Sequence, residues 1–141
     1  MRLLDVNVLL GLAWPNHPFH EIARTWFSKF ARKGWATCLL TASAFVRLSA
    51  NPTVIPGART PTECLLLLTQ LMKFGKHQFL SDRSLSARHL AAALERSLGH
   101  QQVNDAYLVA LAAGHQARLV TFDSRLSALA DRPERVELLQ V

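Results

Sequence analysis

Apolar positions fall into two patterns that alternate along the chain. Runs at 2–5, 35–40, 77–80, 118–122 and 136–141 read as strands, the first buried on both faces and the second buried as well. Between them, apolar residues recur at three- and four-residue spacing, as on a helix with one face toward a core. Val6 to Ala13 forms a short helix stopped by Pro15. A second helix starts at Pro18 and runs to about Arg32, with Phe19, Ile22, Ala23, Trp26, Phe27 and Phe30 on one face and Gly34 at its end. Thr41 is the candidate N-cap of a helix from Ala42 to about Ala50, broken at Asn51-Pro52, and 51–60 reads as an irregular loop. Thr60-Pro61-Thr62-Glu63 is a capping box with Pro at the first helical position, and predicts a helix to about Phe74. Further helices are predicted over Ser86–Leu98 and Val103–Gly114, with a short one over Ser124–Ala130. Strands alternate with helices throughout, which predicts an α/β fold: a parallel sheet with right-handed crossovers and helices on both faces.

Composition narrows the class. A chain of 141 residues, half of them apolar, fits a single domain, 1–141, with a sizeable core. Charged residues are only 18%, which excludes a disordered tail protein. Lys and Arg outnumber Asp and Glu by 16 to 10, and this excess suggests a polyanionic partner. Cys38 and Cys64 lie in apolar surroundings without metal-type spacing and read as buried, reduced thiols. No apolar stretch reaches membrane-spanning length, and the N-terminal run carries Asp5 and Asn7 and lacks a small-residue cleavage site. A cytoplasmic protein without membrane contact is therefore expected.

The candidate chemistry lies in three acids. Asp5 ends the first strand, Asp123 ends the fourth, and Asp105 opens the helix that leads into the fourth. Alone, Asp5 reads equally as a helix cap, and Asp105 and Asp123 each read first as ordinary caps. Together, at strand–helix junctions of a doubly wound sheet, they converge on the carboxyl edge where such folds bind ligands. Three neighbouring carboxylates repel one another unless a cation sits between them. An oxygen-only set suits Mg²⁺ or Mn²⁺, ions that bridge to phosphates. Asn7 and Thr121 are placed to orient the carboxylates.

Leu3-Leu4-Asp5-Val6-Asn7-Val8-Leu9, Gln102-Val103-Asn104-Asp105-Ala106-Tyr107-Leu108, Leu119-Val120-Thr121-Phe122-Asp123 and the middle segment Thr41–Ser49 with Asn51-Pro52 together resemble the PIN-domain ribonucleases, specifically VapC-type toxins of bacterial toxin–antitoxin pairs. The resemblance covers nearly the whole chain. It implies a three-layer α/β/α fold with a central parallel sheet, and Mg²⁺- or Mn²⁺-dependent endonucleolytic cleavage of RNA to 5′-phosphate and 3′-hydroxyl ends. It also implies homodimerisation and neutralisation by a VapB-type antitoxin. Carried over, Asp5, Asp105 and Asp123 become the catalytic metal ligands, with Arg47 and Arg125 as candidate contacts to the RNA backbone.

One position departs from the pattern. Family members usually carry a Glu at the start of the middle helix, at the place of Ala42, and there is no acid between Glu21 and Glu63. Ser43 supplies no charge in its stead. The alternative reading is a weakened or inactive PIN-fold protein that binds RNA or antitoxin. A flavodoxin-like or response-regulator-like domain also gathers acids at this edge, but no suitably placed late-strand Lys is present.

Overall fold

The computed structural model describes residues 1–140. Five parallel strands form one sheet in the order β3-β2-β1-β4-β5: β1 (Arg2–Leu4), β2 (Trp35–Cys38), β3 (His77–Leu80), β4 (Arg118–Thr121) and β5 (Val136–Leu138). The helices are α1 (Val6–Ala13), α2 (His20–Phe30), α3 (Leu39–Ser49), α4 (Pro61–Leu71), α5 (Ala87–Glu95) and α6 (Val103–Gly114). This is the three-layer α/β/α arrangement that the sequence predicts. The chain builds outward from β1 to β3, then crosses back to lay β4 on the other side of β1. The direction of winding thus reverses between β1 and β4, and ligands bind beyond the strand ends at such a point.

Period-two alternation along the strands makes two cores. Leu3, Ala36, Cys38 and Leu119 face a cluster built with α5 and α6. Leu4, Trp35 and Val120 face a larger one with Trp14, Trp26, Phe45 and Leu68 from the other helices. Among the described residues, no helix is long and apolar enough to cross a membrane.

Element boundaries shift at several places. The second strand stops at Cys38, and Leu39 and Leu40 open α3, so Leu39 is 69% exposed rather than inside the sheet. Cys38, not Thr41, is the N-cap. Thr41 sits a turn later, and its hydroxyl accepts the Cys38 backbone N–H at 3.1 Å. The helix predicted from Pro18 to Arg32 is regular only over His20–Phe30 and tightens into a 3₁₀ turn at Ala31–Lys33. The segment at Ser124–Leu129 is 3₁₀ rather than α, and α5 ends at Glu95, leaving Leu98 in solvent. The last strand ends at Leu138; Val141, its predicted end, lies outside the described residues. The Thr60 capping box forms, with the Thr60 hydroxyl accepting the Glu63 N–H.

Glu137 fastens the short β5 to the rest. Its carboxylate accepts the Trp26 indole N–H at 2.7 Å and the Arg2 Nε–H at 3.1 Å, while the Arg2 guanidinium lies 4.3 Å from the Phe30 ring centre. Trp26 is nearly buried, so removing its acceptor strands a polar group. Glu137→Ala is expected to cost about 1–3 kcal/mol, measured by urea unfolding.

Candidate active site

The carboxyl ends of β1 and β4 carry a connected polar network. Asp5 follows β1 directly, and its backbone N–H donates to Val120 at 2.9 Å, continuing the pairing with β4. Its carboxylate caps α1, with Oδ1 accepting the Val6 N–H at 2.7 Å. The Oδ2 atom accepts the Thr121 hydroxyl at 2.7 Å. The two readings of Asp5, strand-end acid and helix cap, therefore hold together.

Thr121 is fully buried and is the hub of the network. Besides donating to Asp5, its oxygen accepts the Asn7 amide at 3.2 Å and the Asp123 backbone N–H at 3.0 Å. The Asn7 carbonyl accepts the Phe122 N–H at 3.2 Å. Asn7 and Thr121 thus tie the first turn of α1 to the chain leaving β4, and fix the backbone on which Asp5 and Asp123 sit.

Asp105 lies in the first turn of α6, but Gln102 is the N-cap, and among the described residues the Asp105 carboxylate makes no hydrogen bond. The capping role is therefore not its role. Asp123 does cap the 3₁₀ segment that follows it, with Oδ1 accepting the Arg125 N–H at 2.9 Å. Arg125 also closes on the same carboxylate through its guanidinium, with Nη2 at 2.8 Å from Oδ2.

The electrostatics show that the three acids share one region. Burial pushes the Asp5 carboxyl above the ordinary carboxylate range; the bonds from Thr121 and Val6 oppose this, while Asp105 and Asp123 add to it. Burial also raises Asp105, reinforced by Asp123 and relieved by Arg125. The Arg125 guanidinium instead holds Asp123 below that range.

Asp5 and Asp105 line an open cleft of ≈ 630 Å³ between α3 and α6, with Ser43 and Arg47 on the α3 wall and Gln101 and Asn104 beside Asp105. Asp123 is not on that wall. Among the described residues, no three His, Cys, Asp or Glu side chains are arranged to hold one ion as placed. Even so, two acids facing one cleft, raised in part by the charges of neighbouring acids, fit a hard divalent cation through oxygen ligands. Ala42 packs its methyl against the larger core, one residue away from the cleft-lining Ser43.

Sequence reasoning placed Arg47 and Asp105 here but missed Gln101 and Asn104. The available signal was helical spacing: Gln101 lies four residues before Asp105, and Asn104 adjoins it.

Comparison with known proteins gives one family. The model of the PIN domain matches residues 2–132. Ribonuclease VapC38 of Mycobacterium tuberculosis (strain ATCC 25618 / H37Rv) is 43% identical over 143 residues, covering 100% of this chain and 99% of that protein. Ribonuclease VapC39 of the same strain is 39% identical over 125 residues, covering 89% and 90%. Two solved structures share the fold: VapBC2 from Rickettsia felis bound to a DNA fragment from their promoter, and FitAcB from Neisseria gonorrhoeae. The first has a TM-score of 0.66 at 12% identity, covering 97% of this chain and 96% of that one. The second has 0.63 at 16%, covering 99% and 97%.

Proposed function

This chain belongs to the PIN-domain family, and from that premise we propose that it is an endoribonuclease toxin, dependent on Mg²⁺ or Mn²⁺ and neutralised by a VapB-type antitoxin in the cytoplasm. The observation that carries the reading is the placement of Asp5 and Asp105 on one cleft at the point where the sheet reverses direction, with Arg47 on the opposite wall. The VapC relatives are named ribonucleases, and the solved neighbour from Rickettsia felis is a VapBC pair, which supports both the reaction and the partner. The net charge of +6 suits an RNA substrate.

Asp5, Asp105 and Asp123 would hold the ion. When bound, it supplies Lewis acidity to the scissile phosphodiester. Thr121 fixes the Asp5 carboxylate by donating to Oδ2, so that ligand is oriented before anything binds. Asp105, without a side-chain hydrogen bond among the described residues, leaves both oxygens available in the cleft. Arg47, on the α3 wall, meets the RNA backbone as a phosphate contact. Exposed Leu65 and Leu66 on α4 and Phe79 on the edge strand β3 offer apolar surface of the kind a second copy covers, in keeping with a homodimer.

The second reading, a weakened or inactive RNA- or antitoxin-binding protein, is favoured by Ala42 alone. An RNA-cleavage assay with added Mg²⁺ or Mn²⁺ separates the two. Wild type is expected to cleave, and Asp5→Asn to remove cleavage. Ala42→Glu, which adds a longer acidic side chain beside the cleft-lining Ser43, is expected to raise activity. Equal behaviour of all three proteins would reject the assigned site.

A further inference from the structure

We propose that Arg125 is an exchangeable counter-ion for Asp123: it holds the carboxylate, releases it when a divalent cation enters, and its freed guanidinium then takes a phosphate of the bound RNA. The inference rests on the metal-dependent reading above and adds to it a residue that couples ion binding to substrate binding.

The geometry is a fork around one carboxylate. Arg125 Nε lies 3.0 Å from Asp123 Oδ1 and 3.2 Å from Oδ2, and Nη2 lies 2.8 Å from Oδ2. The Arg125 backbone N–H adds a fourth bond, to Oδ1 at 2.9 Å. Both Asp123 oxygens are thereby engaged, and this acid is not among the residues of the cleft wall that carries Asp5 and Asp105.

The pair is built to open. The Arg125 side chain is 74% exposed and, among the described residues, makes no hydrogen bond to any other acceptor. Exposed ion pairs are weak and are readily exchanged for a stronger partner. The main chain need not move when the fork opens, because the Asp123 N–H stays on the Thr121 hydroxyl, which is itself held by Asp5 and Asn7. Only one surface side chain has to swing.

Charge accounting gives the exchange its direction. The Arg125 charge also reaches Asp105, so the guanidinium supplies part of the neutralisation that a metal ion would supply to the same acids. With Ala42 in place of a fourth acid, Arg125 offsets one of only three acidic charges while it stays seated. Once displaced, the guanidinium stands beside the site with its fork free, and the fork matches phosphate as well as it matches carboxylate.

The test is Mn²⁺ titration of the full chain by electron paramagnetic resonance, without RNA. Arg125→Gln is expected to bind Mn²⁺ roughly three- to tenfold more tightly than wild type, and Arg125→Lys to fall between them, since an ammonium lacks the fork. Inorganic phosphate is expected to tighten Mn²⁺ binding in wild type, and that coupling to vanish in Arg125→Gln. Equal or weaker Mn²⁺ binding by Arg125→Gln overturns the exchange and leaves the metal-dependent reading intact. Absence of Mn²⁺ binding in both proteins, or undiminished binding in Asp5→Asn, overturns the metal-dependent reading and the exchange with it.

Discussion

Asp105→Asn is expected to lose at least about 100-fold in RNA cleavage while melting at a higher temperature than wild type at pH 7. The loss follows from removing one anionic oxygen ligand from a cleft that already lacks an acid at position 42. The gain follows from the surroundings of the carboxylate: it is half-buried, unpaired and beside Asp123. Its folded-state pKa is raised from 3.8, so the folded chain favours the protonated form. A group of this kind contributes stability below its unfolded pKa and loses that contribution as pH rises through the folded value. At neutral pH the ionised Asp105 is therefore a net cost, which an uncharged Asn of the same shape removes. The Tm difference should be absent at about pH 3 and open as pH rises toward 7. Added Mn²⁺ should raise the Tm of wild type and leave that of Asp105→Asn nearly unchanged. A variant less stable than wild type at neutral pH would show that Asp105 plays a structural part.

This opposition between stability and chemistry explains what the sequence could reveal. Acids at the ends of β1 and β4 and in the first turn of α6 are costly to keep close together, so their recurrence at these junctions was itself the signal. The alternation of strands and helices was legible because the inner strands β1, β2 and β4 are short and largely buried, and the Thr60 start was legible because capping is local chemistry. The start of α3 was not. Leu39 and Leu40 read as a continuation of the strand, because an apolar residue carries the same letter whether it enters a core or lies on a surface. The orientation of Asp123 was equally hidden: the bond to Arg125, two residues on, depends on a 3₁₀ turn that spacing does not announce. Asp105 could be separated from an ordinary cap only by finding Gln102 in the capping position.

Gly75→Ala is expected to destabilise the fold by about 3 kcal/mol, which is roughly 10 °C in Tm for a chain of this size. Two independent reasons add. Gly75 closes the turn after α4 with φ of +64°, a left-handed conformation in which any side chain is strained, at a cost of about 1 kcal/mol. A methyl there would also run into the Ala31 carbonyl group and Ala31 Cβ. That carbonyl cannot simply retreat, because it accepts the N–H groups of Gly34 at 3.3 Å and Lys76 at 3.0 Å, and so joins the chain entering β2 to the chain entering β3. Pushing it away would loosen the start of both strands, including Trp35, whose backbone N–H donates to Lys76 at 2.9 Å. Gly114 makes the complementary test, since its backbone is helical and Ala would ordinarily favour the helix there. A Cβ at Gly114 would meet the Ser84 carbonyl oxygen, so Gly114→Ala should also destabilise, against helix propensity. Thermal unfolding of both variants separates the causes. A loss at both positions marks close backbone approach as the constraint, whereas a loss at Gly75 alone would leave only the left-handed turn.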